Sequence, residues 1–381
     1  MTKIGIPILF TPQHWMGGIN YFTSLISAFS LVEQDDIEII LFCEKKGVFE
    51  TSKYKNVRQV IIPNLLKPNF FQRVFNRIFG INYLLFKKAN EHNINILSHS
   101  QFSRIGNFKT LWWKPDFQEK YYPEFFQKKD IILRDKAVRL NAKYSSLLFS
   151  SQDAMASFLT FYNSNNSNNI YTLPFVPELN INEDDICTEH ADINLIKEKY
   201  NIKTKYFFLP NQFWKHKNHQ LVIKAILELN KDAIVVATGI LNDYRGNDHI
   251  LYIKNLLLHD VENKFKLLGL IDRKELTLLM KGAVAVINPS RFEGWSTTVE
   301  EAKYLGKRLI LSDIPIHREQ NPPDSIYVDC DNVKEMVSAM NVILSEYNDD
   351  NEKIRRTIAT KNYIRDRKEF GFSYYNILKK L

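Results

Sequence analysis

Cysteine is scarce in this 381-residue chain: Cys43, Cys187 and Cys330 are its three, scattered without the paired spacing of a zinc site. That pattern excludes a disulfide-stapled scaffold and points to a reducing compartment. Long apolar runs are also missing, none approaching the roughly 20 residues needed to span a bilayer. The opening Met1-Thr2-Lys3-Ile4-Gly5-Ile6 starts as a strand and lacks the parts of a signal peptide, so a cytoplasmic protein is expected. No Asp-x-Asp metal motif appears in this reading, so neither a required divalent ion nor any other cofactor is expected. Nor does a nucleic-acid-binding motif accompany the 51 basic and 43 acidic side chains. The net charge of +8 is therefore left to phosphorylated substrates or anionic lipid, with no nucleic acid partner.

What the chain does have is 45% hydrophobic and 25% charged residues, a soluble globular composition, at a length too great for one ordinary core. Two α/β domains are expected. Lys3–Phe10, Ile37–Phe42, Val57–Ile62, Ile94–Ser98 and Ser146–Phe149 read as strands of the first, over residues 1–177. The polar run 163–169 reads as a surface loop. The acidic, weakly periodic residues 178–191 read as a linker, residues 192–358 as the second domain, and 359–381 as a helix crossing back to the first.

The chemistry is concentrated in Asn288-Pro289-Ser290-Arg291-Phe292-Glu293-Gly294-Trp295-Ser296-Thr297-Thr298-Val299-Glu300-Glu301-Ala302. Ala283–Asn288 before it is short, apolar and β-branched, as a strand buried on both faces should be, and Arg308–Ser312 reads as the next strand of a βαβ unit. Thr297 and Glu300 have the spacing of a capping box, which leaves Glu301 to point at a ligand. The amides from Gly294 through Trp295, Ser296 and Thr297 to Thr298 gather at a helix N-terminus, where unpaired N–H groups and the macrodipole favour a diphosphate. Two carboxylates beside an anion site make sense as acceptors for hydroxyls, Glu301 for a ribose diol and Glu293 for a sugar beyond the phosphates.

This segment resembles the signature of the retaining glycosyltransferases of family 4, in which two Glu stand either side of seven residues. The resemblance is specific over roughly Phe207–Val328 and implies the GT-B fold: two Rossmann-like α/β domains with parallel sheets facing a central cleft. It implies that Glu293 contacts the donor sugar, Glu301 the ribose, and the backbone between them the diphosphate. It also implies a nucleoside diphosphate sugar as donor, and the leaving phosphate oxygen, rather than a protein side chain, as base.

Further segments fit. Tyr206-Phe207-Phe208-Leu209-Pro210-Asn211-Gln212-Phe213-Trp214-Lys215-His216-Lys217 runs from an apolar strand into a cationic loop. Lys217 matches the family's phosphate-facing lysine, with Lys215 in reserve, while Gln212 stands where many members have arginine and brings no charge. His216 and His219 read as structural. The loop at Leu270 and Ile271 corresponds to one that contacts the base through main chain. Gly17 and Gly18, in a loop after the first strand, resemble the glycine-rich loop that faces the donor phosphates. Lys217, that loop and the amides at 294–298 would stabilise charge on the leaving diphosphate.

Trp112–Phe126 looks like the Pro-Asp-Phe-Gln segment of some bacterial rhamnosyl- and mannosyltransferases, with Glu119 where some relatives have histidine. Two readings fit Asp116: a group approaching the reacting hydroxyl, or a turn residue after proline. His99, after its strand, is a candidate for binding the acceptor or a core histidine. In Leu65–Lys88, Phe70, Phe71, Phe75 and Phe79 alternate with Lys67, Arg73, Arg77, Lys87 and Lys88. This suits peripheral contact with an anionic membrane on the inner face of the cell, or equally a core face backed by a solvated one. The expected function is transfer of a hexosyl group such as mannose or rhamnose to a glycan or lipid-linked saccharide acceptor in O-antigen, capsule or other surface polysaccharide synthesis. A nucleotide-sugar epimerase and a non-catalytic nucleotide-sugar-binding subunit are the alternatives.

Overall fold

The computed structural model describes residues 1–11, 16–79, 82–100, 107–162, 169–179, 189–243, 246, 248–260 and 263–381. The polar run 163–168, most of the acidic stretch 178–191 and Cys187 lie outside them. The chain forms two compact units, Met1–Glu178 with Arg365–Leu381, and Leu179–Ile364. Among the described residues no helix is long and apolar enough to cross a membrane.

The first unit runs β1 (Thr2–Pro7), α1 (Met16–Phe29), β2 (Ile37–Cys43), β3 (Val57–Ile61), α2 (Phe70–Phe79), α3 (Tyr83–Glu91), β4 (Ile96–Ser100), β5 (Lys109–Lys114), α4 (Gln118–Tyr121), α5 (Lys128–Tyr144), β6 (Ser146–Phe149), α6 (Gln152–Tyr162) and β7 (Ile170–Thr172). Its parallel sheet has the order β3-β2-β1-β4-β5-β6-β7, so the connections reverse direction between β1 and β4. In such sheets ligands bind outside the strand ends at that switch point. Gly17 and Gly18 lie there, but in the first turn of α1 and not in a loop: Gly18 is buried, and packing overrides the weak helix propensity of glycine.

The second unit runs α7 (Glu189–Lys199), β8 (Lys205–Leu209), α8 (His219–Glu228), β9 (Ala233–Ala237), α9 (Asp248–Leu257), β10 (Phe265–Leu267), α10 (Arg273–Gly282), β11 (Ala285–Asn288), α11 (Thr297–Tyr304), β12 (Leu309–Ser312), α12 (Pro315–Gln320), β13 (Ile326–Val328) and α13 (Val333–Glu346). Its sheet, β10-β9-β8-β11-β12-β13, is also parallel and switches between β8 and β11. The near-continuous apolar strands are explained by two cores. Phe207, Val235, Ile287 and Ile310 pack with α8 and α13 on one face, while Tyr206, Phe208, Val286 and Leu311 pack with α10 and α11 on the other. The last helix, α14 (Asp349–Lys380), starts in this unit, and its residues from Arg365 belong to the first. There Gly371 lies against α1 so closely that a Cβ would stand 2.2 Å from the Ala28 carbonyl oxygen.

Candidate functional site

At the switch point of the second unit, β8 and β11 run side by side, with Val286 level with Phe208, and deliver their following loops together. Lys217 Nζ reaches Glu293 Oε1 at 2.6 Å. Both side chains are largely buried, at 13% and 9% exposure. Burial pushes the Glu293 carboxyl up, but the charge and hydrogen bond of Lys217 outweigh it and hold the group down at about 2. Glu293 is therefore an anion whose acceptor capacity is partly taken by its own lysine.

Asparagines that the sequence reading left unassigned build the floor. Asn288, fully buried at the end of β11, donates to Ser296 Oγ (2.7 Å) and Glu293 Oε1 (3.3 Å) and accepts from Ser290 Oγ (2.6 Å). Asn211, just past β8, donates to Asn288 Oδ1 and accepts from Thr298 Oγ1, each at 3.4 Å. Glycine is required at Gly239 (φ +120°), where a Cβ would stand 2.5 Å from the Asn211 carbonyl oxygen.

The helix start differs from the expected capping box. Ser296, not Thr297, is the N-cap, accepting the Val299 amide, so Thr297 and Thr298 open the first turn. Glu300 does not reach back: it accepts from Gln320 Nε2 at 2.9 Å, and the same amide donates to the Ser296 carbonyl. Asn288 bonds both the N-cap Ser296 and Glu293, which sets the start of α11 beside that carboxylate, and helix geometry leaves Thr297 and Thr298 N–H without intrahelical partners. Beneath the bend, Ser312 Oγ donates to the Ser290 carbonyl and lies 3.1 Å from His317 Nδ1. His317 is fully buried, and burial lowers its pKa, so the imidazole is neutral.

Glu301 is not free either. It is buried on the inner side of α11 and pairs with Arg273, the first residue of α10 and two residues after Ile271. Burial raises the Glu301 pKa and Arg273 offsets part of that rise. Leu270 is 64% exposed in the loop before it. Gln212 Oε1 accepts the Ile240 amide at 3.1 Å, which ties its side chain to the turn after β9. His219 stacks on Phe213 and bonds the Asn211 carbonyl, a structural role, and the His216 main-chain carbonyl accepts the Arg291 amide. One Asp-x-Asp spacing does occur, Asp329-Cys330-Asp331, against the sequence reading. Asp331 pairs with Arg291 and Asp329 Oδ1 accepts the Asp331 amide, so both carboxylates are engaged within the protein.

The remaining candidates belong to the first unit. His99 sits within β4 at a register shift, in left-handed backbone (φ +55°), with one ring nitrogen 2.8 Å from Tyr21 Oη and the other 2.9 Å from Ser98 Oγ. Burial lowers its pKa to about 3. Tyr21, Phe22, Trp113 and Tyr374 enclose the ring, which makes His99 a neutral core group in this structure. Asp116 accepts the Gln118 amide at 3.0 Å, the turn geometry that proline before it favours. Glu119 is buried against Lys114 at 2.8 Å.

Residues 192–361 match the family model Glycosyl transferases group 1. The O-antigen chain mannosyltransferase RfbU of Salmonella typhimurium is 26% identical over 146 residues, a match that spans 38% of this chain and 38% of the relative. Among solved structures, Anabaena Alr3699/HepE, crystallised with UDP and with UDP-glucose, superposes over the full length of both chains with a TM-score of 0.71 for the UDP complex at 14% identity. WaaG, a glycosyltransferase of lipopolysaccharide biosynthesis, superposes over 97% of this chain and 95% of its own, with a TM-score of 0.61 at 12% identity. The chain thus has the GT-B fold of two parallel-sheet α/β domains, and the stretch that matches the group 1 model begins in the second unit.

Proposed function

We propose that the protein transfers a hexosyl group, such as mannose or rhamnose, from a nucleoside diphosphate sugar to a hydroxyl of a glycan or lipid-linked acceptor, with retention at the anomeric carbon and without a required divalent ion. The product is assigned to O-antigen, capsule or another surface polysaccharide. The observation that carries the reading is the buried Lys217–Glu293 pair at the β8/β11 switch point, beside the N-terminal amides of α11. The group 1 domain over this unit and the likeness to a mannosyltransferase support it.

In this reading the two acidic residues hold the places of the donor's parts. The incoming diphosphate draws Lys217 from Glu293 and accepts the Thr297 and Thr298 amides, which frees Glu293 to receive hexose hydroxyls. The ribose diol displaces Arg273 from Glu301 in the same way. The bond between the anomeric carbon and the diphosphate oxygen then breaks as the acceptor oxygen bonds that carbon on the same face. The acceptor's proton passes to the departing phosphate oxygen, so no protein nucleophile is consumed.

The reading is tested by measuring nucleoside diphosphate release from a panel of nucleotide sugars, with and without oligosaccharide acceptors and with a chelator present. Acceptor-dependent release that survives the chelator and gives a product of the donor's anomeric configuration is expected. Turnover that ignores the acceptor would instead make it an epimerase or hydrolase. Glu301→Ala should weaken nucleotide binding about 10- to 100-fold by calorimetry and raise KM with little change in kcat, since hydroxyl–carboxylate bonds to the ribose are made equally in ground and transition states.

A further inference from the structure

Lys217 is followed by a residue whose backbone and side chain are both committed. Asn218 is 3% exposed and stands in left-handed backbone, φ +56° and ψ +36°, between the tight turn Lys215–Lys217 and the start of α8. Few side chains tolerate that conformation, asparagine foremost after glycine. An asparagine at a helix start commonly turns its side chain onto its own helix. Asn218 makes no such capping bond. Its side-chain amide donates instead to the Cys330 carbonyl at 2.9 Å and the Pro289 carbonyl at 3.2 Å, 112 and 71 residues along the chain.

Three segments meet at that amide: the turn before α8 that carries Lys217, the bend after β11 that carries Glu293, and the chain following β13. Further bonds tie them. The His216 carbonyl accepts the Arg291 amide at 2.8 Å, and the Arg291 guanidinium reaches the Cys330 carbonyl at 3.4 Å and pairs with Asp331. The Lys215 amide is held by Asp243 Oδ2 at 3.0 Å. Arg291 thus touches the same three segments, but its partner Asp331 is 75% exposed, and an ion pair in water holds little. The bonds of Asn218 are out of water and adjoin the lysine itself.

We infer that Asn218 is a positioning residue: its two side-chain bonds fix the turn that carries Lys217 against the bend that carries Glu293, and so place the ammonium for the donor diphosphate. The catalytic consequence rests on the function proposed above, whereas the effect on the Lys217–Glu293 pair rests on the geometry alone. Asn218 is too buried to meet substrate and acts through the lysine. A group displaced by about 1 Å can lose on the order of 10²-fold in rate, so the clasp has a measurable effect.

Two variants retain the left-handed backbone and remove the donor. Asn218→Gly adopts it without strain, and Asn218→Asp tolerates it while presenting a carboxylate where two carbonyls need an N–H. Assayed well below its own melting temperature, each should lower kcat about 10- to 100-fold with donor KM changed less than threefold. In a Lys217→Ala background Asn218→Gly should cost less than about threefold more, since the group it places is gone.

A second readout needs no activity. Glu293 faces Lys217 on the turn, His317 on α12 and Ser290 on its own bend, and the lysine holds its carboxyl down at about 2. With turn and bend no longer fastened, that value should climb toward the roughly 4.3 of a free glutamate. A less depressed carboxyl contributes less stability above the unfolded value and has less to lose on acidification. Both variants should therefore show a shallower fall in melting temperature between about pH 4.5 and 2 than wild type. Wild-type kcat, a full additional loss in the Lys217→Ala background, or a melting temperature lowered equally at every pH would overturn the inference. Should the wild-type protein turn over no donor at all, the proposed function fails, and the acid profile alone upholds or overturns the clasp.

Discussion

Lys217→Ala is expected to lower kcat/KM by about 10²- to 10³-fold, mainly through kcat, because a cation aimed at the leaving diphosphate acts where charge develops. The substitution also strands Glu293. Removing one partner of a buried pair costs on the order of 3–5 kcal/mol, since a desolvated carboxylate remains without its charge. Loss of activity alone would thus be ambiguous, and Lys217→Met/Glu293→Gln removes the ambiguity. The double variant replaces both charges by uncharged groups of similar volume and should recover most of the melting temperature while remaining inactive. A Lys217→Ala protein within threefold of wild-type turnover would sink the assignment, whatever its stability.

The same pair predicts an acid limit. Glu293 is held at about 2 in the folded protein, below the roughly 4.3 of an unfolded glutamate. A depressed carboxyl pKa stabilises the fold above the unfolded value and loses that contribution as pH falls through the folded one. Melting temperature of wild type should therefore drop between about pH 4.5 and 2 more steeply than that of Lys217→Met/Glu293→Gln.

The second large effect lies behind the site. Lys307, just past the left-handed Gly306 at the end of α11, is buried and bonds Glu352 on α14 and the Lys281 carbonyl. Burial pulls its pKa down to about 8, with Glu352 opposing the fall. Glu352→Ala leaves the ammonium with a carbonyl in place of its counter-charge, and a loss of about 3–5 kcal/mol is expected. For a unit of this size that is a fall of roughly 6–20 °C in the transition of the second unit. The sign with pH is fixed. In the variant the folded lysine releases its proton well below the unfolded value of about 10.4, so the unfolded state binds more protons and the variant's stability rises with pH between the two. The deficit relative to wild type should narrow toward pH 9 in a calorimetric series. A Lys307→Met/Glu352→Leu protein should melt close to wild type. A Glu352→Ala protein melting within 2 °C of wild type at pH 7 would show the pair to be dispensable.

Legibility followed the range of each interaction. Glu293 and Lys217 could be read because strand, cationic loop, glycine bend and helix start are local in sequence. The cap was misread by one residue: Ser296-Thr297-Thr298 offers three hydroxyls, and the choice fell to Ser296 because Asn288 and Gln320, 8 and 24 residues away, hold its hydroxyl and carbonyl. Arg273 was passed over because 28 residues separate it from Glu301. The Leu65–Lys88 segment was half legible, since its aromatic and basic pattern is the same whether phenylalanines face the core or water. Leu65 and Leu85 are core and Phe70 and Phe71 surface, while the side chains of Arg77 and Phe79 lie outside the described residues.

The sequence by itself determined that the chain is α/β with two units, and that acidic residues, amides and a lysine gather at the end of one strand, since apolar runs and turn chemistry act over a few residues. Only the tertiary structure decided that each of those carboxylates already holds a cation and that His99 is enclosed. Those outcomes depend on which strands lie side by side and in what register, a property of the whole sheet that no short segment encodes.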